Sequence, residues 1–284
     1  MLNVIFIGGL SNGRIVFDYL NKNKNVDLKL TITHPDDFEG PRNVIFPDDA
    51  MILKSFSANK YLNKIKEISP DYIFVAGWSE LLDEELLNAS KFGVIGFHPS
   101  KLPNDRGRSV LAWQIEEGYK ESALTMFYYN NIPDGGDIIG SSQFKILEND
   151  YIDDVLNKVD KATLNLMKSY FKLISSGLAP RIKQDLNSGS QRRLRTDKDD
   201  SILDWNQNRR CLFNKIRAIS KPYPGAIGTF LDKNFRIFRA EILDDFPIGK
   251  EYLPGKCVAQ IADGSKIIKV KDGFLRLLEF EEIE

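Results

Sequence analysis

Apolar and polar positions fall into two regimes along the chain. Over residues 1–182, short continuous apolar runs alternate with segments whose apolar residues recur three or four apart. That is the mark of strands buried on both faces and helices laid across them. Strands are predicted over 2–7, 28–32, 71–77, 93–97, 123–129 and 138–146. Helices are predicted around Ile15, Phe17 and Leu20, and over 55–69, 83–89, 110–117 and 152–175. In the last of these Ile152, Val155, Val159, Leu164, Met167, Phe171 and Ile174 form one core-facing stripe, ended by Gly177 and Pro180. The alternation predicts a doubly wound, Rossmann-like α/β domain. From residue 202 the pattern changes. A helix over 203–220 is stopped by Lys221-Pro222-Tyr223-Pro224-Gly225, and five short strands follow (226–231, 235–243, 255–261, 266–271, 274–280), separated by turn signals. These predict a small, mostly β, barrel-like domain. The expected organisation is 1–182, a polar linker over 183–201, and 202–284.

With 284 residues and 42% hydrophobic content the chain can bury a sizeable core. Its 39 basic and 40 acidic residues nearly balance, so total charge calls for neither nucleic acid nor an anionic membrane. No run is long enough to span a bilayer. Cys211 and Cys257 lack metal-ligand spacing and are too few for a disulfide scaffold, so no metal is expected and a reducing cytoplasm is the expected home. MLNVIFIGGLSNG reads as a strand opening the fold rather than a signal peptide. The glycines after that strand suit a phosphate cradle at a helix start, but their spacing is not the dinucleotide fingerprint.

Chemistry concentrates around one of the two histidines. An apolar run delivers His98 to a loop punctuated by Pro99, Pro103 and Gly107, and a later strand leads to a second loop carrying Asp134 beside two glycines. Two neighbouring parallel strands joined by a crossover would put both loops at one sheet edge, where α/β sheets bind ligands. The carboxylate would then fix the tautomer of the ring and favour its protonated form, giving an acid/base unit. His34 also follows a strand, but the polar stretch 36–49 behind it makes it an ordinary loop histidine. Arg192, Arg193 and Arg195 read either as a solvated linker or as a phosphate contact.

The strings HPSKLPNDRGR (from His98) and DGGDI (from Asp134) resemble those of the folate-dependent N-formyltransferases. His98, Leu102, Pro103, Arg106, Gly107, Asp134 and Gly136 fit the family pattern. So do the stretches around Asp204-Trp205, Ile216-Arg217-Ala218 and Tyr223-Pro224-Gly225-Ala226, which extends the resemblance over nearly the whole chain. It implies transfer of a formyl group from N10-formyltetrahydrofolate to a primary amine, with His98 as base or charged donor and Asp134 stabilising its imidazolium. Trp78, Ser79, Leu81 and Leu82, with backbone from Asn130, Ile132 and Pro133, are the implied folate site; for Leu81 and Leu82 plain core packing is the competing reading. Pro99, Asn104, Arg106 and Arg108 are the implied substrate contacts. The family has Asn two residues before the histidine, where the resemblance implies that it holds the formyl oxygen; here stands Gly96, and Asn104 or a water is the expected substitute. The implied acceptor is a nucleotide-linked amino sugar, the C-terminal domain closing the site or pairing with a second copy. Methionyl-tRNA is the second acceptor. A catalytically weak folate-binding relative is the third reading, motivated by Gly96.

Overall fold

The computed structural model describes residues 1–47 and 51–284, so the end of the polar stretch 36–49 lies outside the described residues. In chain order the elements are β1 (Leu2–Gly8), α1 (Leu10–Asn21), β2 (Val26–Thr33), β3 (Ile52–Lys54), α2 (Leu62–Ile68), β4 (Tyr72–Ala76) and α3 (Glu84–Leu87). Then come β5 (Val94–His98), β6 (Arg106–Gly107), α4 (Val110–Glu116), β7 (Glu121–Tyr128), β8 (Ile138–Lys145), α5 (Ile152–Ser175) and β9 (Gln191–Arg192). Last are α6 (Asp197–Asp200), α7 (Arg209–Ala218), β10 (Ala226–Phe230), β11 (Lys233–Leu243), β12 (Cys257–Gln260), β13 (Lys266–Val270) and β14 (Gly273–Ile283).

Packing divides the chain into two units. The first comprises Met1–Gly107, Ser122–Phe144 and Asn157–Arg192; the second comprises Arg108–Glu121, Lys145–Leu156 and Arg193–Glu284. A seven-stranded sheet in the order β3-β2-β1-β4-β5-β7-β8 forms the first. From β3 to β5 the strands run parallel, and their apolar runs suit strands buried on both faces. On one face Ile5, Ile7, Ile73, Val75 and Val94 pack with Ile65 and Leu86. The β1 turn is no phosphate cradle: the Gly9 N–H is spent on the Ala76 carbonyl, and a Cβ at Gly13 would stand 2.5 Å from that oxygen.

Three local expectations change. The helix expected over 55–69 starts late, because the Ser57 N–H bonds Ser55 Oγ and the Ala58 N–H bonds the Glu80 carboxylate. The helix expected over 203–220 begins at Arg209, where Asn208 caps it by accepting the Cys211 N–H. Before it, Leu203 and Trp205 bond Ile227 and Thr229 instead. Finally, β5 and β7 are antiparallel rather than parallel. Apolar alternation carries no information on strand direction. Segment 129–134 runs back from the Val94 end of β5 to its His98 end, which is how Asp134 reaches the histidine.

His34 is not an ordinary loop residue. It is 7% exposed and sandwiched between Phe38 (ring centroids 3.9 Å apart) and Trp78 (4.5 Å), with no partner for Nδ1 among the described residues. Burial lowers its pKa to about 4. The unfolded chain therefore binds a proton that the folded one refuses, and stability falls as pH drops from 6.5 toward 4. At about 1.4 kcal/mol per pH unit, the loss from this group approaches about 3 kcal/mol. His34→Phe keeps the stack and removes the proton. Urea unfolding between pH 7 and 4 should show a flatter profile for the variant; an unchanged profile would assign the acid sensitivity elsewhere.

The second unit is an antiparallel sheet in the order β10-β11-β14-β13-β12, with α4 and α7 packed together. Its three chain pieces meet at Arg217, 3% exposed. The guanidinium donates to the Asn214 side chain (3.0 Å) and to the carbonyls of Asp150 (2.9 Å), Ile115 (3.3 Å) and Leu147 (3.4 Å). No helix among the described residues is long and apolar enough to cross a membrane.

Candidate active site

Because strand side chains alternate, Val94, Gly96 and His98 share one face of β5. Antiparallel pairing sets Thr125 opposite His98 and Phe127 opposite Gly96 on that face. His98 is buried, with Nε2 2.8 Å from the Asp105 carbonyl. A carbonyl only accepts, so Nε2 carries a hydrogen and the neutral ring keeps its lone pair on Nδ1. That nitrogen faces Asp134 Oδ1 at 3.4 Å. The tautomer is thus set by a backbone carbonyl and not, as expected, by the carboxylate. The carboxylate instead stands beside the nitrogen that carries the lone pair.

Both partners of the ring are held in turn. Asp134 Oδ2 accepts the Gly107 N–H (2.9 Å), and the Gln184 amide donates to the carbonyls of Asp134 (2.9 Å) and Gly136 (2.6 Å). Asp105 is buried, its carboxylate taking Arg192 Nε (2.7 Å) and Ser190 Oγ (3.1 Å), while its N–H bonds Ser190 Oγ. Asp105 and Asp134 both adopt left-handed backbone, with φ of 53° and 55°, which aspartate tolerates better than most residues. Gln184, Ser190 and Arg192 lie in the stretch read as a linker. Polar composition hid them; the arginine cluster was the one signal pointing there.

The other sequence-derived residues have varied surroundings. Trp78 stacks on His34, Ser79 is exposed, Leu81 is 70% exposed, and Leu82 packs in the core. Asn130, Ile132 and Pro133 are exposed, and Asn130 Oδ1 holds the Ile132 N–H. Pro99 is partly buried and Asn104 exposed. Arg106 is buried and donates to the Leu186 carbonyl (3.1 Å), which orders the loop. Arg108, in the second unit, is exposed. Of the arginine cluster, Arg193 pairs with Asp200 (2.6 Å), and Arg195 pairs with Glu116 and lies 4.2 Å over Trp113.

Residues 2–170 match the family described as Formyl transferase, and 195–283 match Formyl transferase, C-terminal domain. The chain belongs to the folate-dependent formyltransferases, and its activity is the transfer of a formyl group to an amine. It is similar to the methionyl-tRNA formyltransferase of Staphylococcus aureus (strain MW2), 27% identical over 290 residues that cover 96% of this chain and 91% of that one. HypX from Aquifex aeolicus, solved in complex with tetrahydrofolic acid, superposes with a TM-score of 0.73 at 18% identity over the whole of this chain, which spans 44% of HypX. The N-formyltransferase from Helicobacter canadensis, in complex with folinic acid and dTDP-3-aminofucose, gives a TM-score of 0.68 at 18% identity, covering 99% of this chain and 100% of that one. At these identities the two structures establish a shared fold.

Proposed function

We propose that the chain transfers the formyl group of N10-formyltetrahydrofolate to the amine of a nucleotide-linked amino sugar, with His98 and Asp134 as the acid/base pair. The observation that carries the chemistry is the His98 ring itself, anchored through Nε2 and presenting Nδ1 toward a carboxylate 3.4 Å away. The residues around it fit a folate. Leu81 and Ile132 offer exposed apolar surface for a flat heterocycle, and the buried indole N–H of Trp78 has no partner among the described residues. These side chains, with Ser79 and the backbone of Asn130 to Pro133, would hold it. When bound, it supplies an activated formyl carbon. His98 Nδ1 takes the proton that the attacking amine sheds, Asp134 stabilises the resulting imidazolium, and the same proton is then returned to the leaving nitrogen. Asp105 keeps the ring from turning while its charge changes.

Charge pairing supports a small acceptor. In the second unit Arg236 is tied to Asp197, Arg276 to Asp263, Lys221 to Glu279 and Lys233 to Glu282, so these cations are neutralised locally rather than held out to a phosphate backbone. The Helicobacter canadensis structure, in complex with dTDP-3-aminofucose, agrees with this acceptor class. A second reading, methionyl-tRNA, is favoured by the Staphylococcus aureus relative, which this chain matches nearly end to end. Under either reading a cytoplasmic enzyme fits the free thiols of Cys211 and Cys257, which stay reduced there. Release of tetrahydrofolate should be followed with a panel of nucleotide-linked amino sugars, methionyl-tRNA and a no-acceptor control. Turnover with one sugar nucleotide is expected. Turnover confined to methionyl-tRNA would replace the sugar reading with the second.

A further inference from the structure

Formyl transfer places negative charge on the formyl oxygen, and a buried site needs a hydrogen-bond donor aimed at it. Position 96, on the same face as His98, offers no side chain. The ring of Tyr129 fills the space instead: its Cε1 and Cζ stand 1.9 Å and 2.6 Å from where a Cβ on Gly96 would be. The ring is held from beneath by Phe127 (centroids 5.1 Å, 26° between planes), and the Tyr129 N–H bonds the Val94 carbonyl. Gly96, His98, Phe127 and Tyr129 therefore line one surface, with Asp134 close enough to act electrostatically on the phenol.

Other hydroxyls near His98 are committed. Thr125 donates to the Ser100 carbonyl (2.6 Å) and Ser100 donates to the Asn104 carbonyl (2.7 Å). The Tyr129 hydroxyl makes no hydrogen bond among the described residues, and the side chain is only partly buried.

We propose that the Tyr129 phenol, seated in the space left by Gly96, donates the hydrogen bond that holds the formyl oxygen as charge develops on it. Glycine at 96 is then the condition for this donor, since any side chain there would displace the ring. Burial and the Asp134 carboxylate raise the phenol's pKa, so it stays a protonated donor across the neutral range. This assignment rests on the formyl-transfer reading but not on which amine accepts.

Tyr129→Phe keeps the ring and removes the donor. With whichever acceptor turns over, kcat is expected to fall about 10²-fold, as for loss of one such donor elsewhere, while KM for the folate and the melting temperature stay unchanged. A kcat within threefold of wild type would overturn the proposal. Binding gives a readout independent of turnover and of the acceptor. With 3-fluorotyrosine at 129, addition of unreactive 5-formyltetrahydrofolate should shift the fluorine resonance, and a bound complex with no shift would also overturn it. A donor placed on β5 provides the converse test. Tyr129→Val should lose activity, and Gly96→Asn added to it should recover at least tenfold. Gly96→Asn alone, forced against the Tyr129 ring, should instead lose activity; if it gains, Tyr129 is not the donor.

Discussion

His98→Ala is expected to lower kcat/KM by about 10²–10⁴-fold, the usual worth of a positioned general base. Under the proposed chemistry the substitution removes the lone pair at Nδ1 and the charge that Asp134 would stabilise, while the proposed folate contacts stay in place. The loss should therefore appear in kcat rather than in KM for the folate. Asp134→Asn should be milder than His98→Ala, because an amide oxygen can still accept the Gly107 N–H that holds the loop. The check is steady-state formyl transfer with the acceptor that turns over, alongside 5-formyltetrahydrofolate binding and thermal melting. A loss below tenfold with intact binding would remove His98 from the chemistry.

Arg217→Met is expected to cost about 1–3 kcal/mol, the scale for losing the charged donor of buried neutral acceptors. Methionine approximates the length of the stem but takes the guanidinium away from the Asp150 carbonyl and the Asn214 amide; the Ile115 and Leu147 carbonyls keep the N–H groups of Gly118 and Asp150. Burial lowers the pKa of the guanidinium, and four acceptors fix its position. Arg217→Lys should fall between, since a single ammonium cannot reach all of them. Urea unfolding of the full chain measures this as a shift of midpoint; a cost under 1 kcal/mol would mean that apolar packing holds the three pieces together unaided.

Much of the fold could be read from the chain because burial on both faces leaves a direct trace in apolar runs. β4, buried throughout, shows this most plainly. Direction leaves no such trace, which is why β5 and β7 were expected parallel. His98 and Asp134 stood out because each sits in a loop with a distinctive string. Tyr129 did not, since an aromatic at a strand end reads as packing until its neighbour is seen to be a glycine facing it across the sheet. Gln184 and Ser190 were hidden in a polar stretch, where groups that bind backbone look the same as groups that bind water. His34 was misjudged for the related reason that its stacking partners Phe38 and Trp78 come from separate loops.

The matched families break near residues 170 and 195, as though the C-terminal region were a module that recombination could exchange. Its packing forbids a clean exchange. The second unit also contains α4 and the segment 145–156, both encoded inside the first, and Leu111, Ile115, Tyr151 and Ile152 are buried there. A chain cut after Arg192 would leave those residues without α7 and the strands that follow it, a bare apolar surface inviting aggregation. A grafted C-terminal module would meet a surface shaped for another. Diversification of this architecture is therefore restricted to coordinated substitution on both sides of the joint, and transplanting the end of one member onto another should fail more often than the tidy sequence boundary suggests.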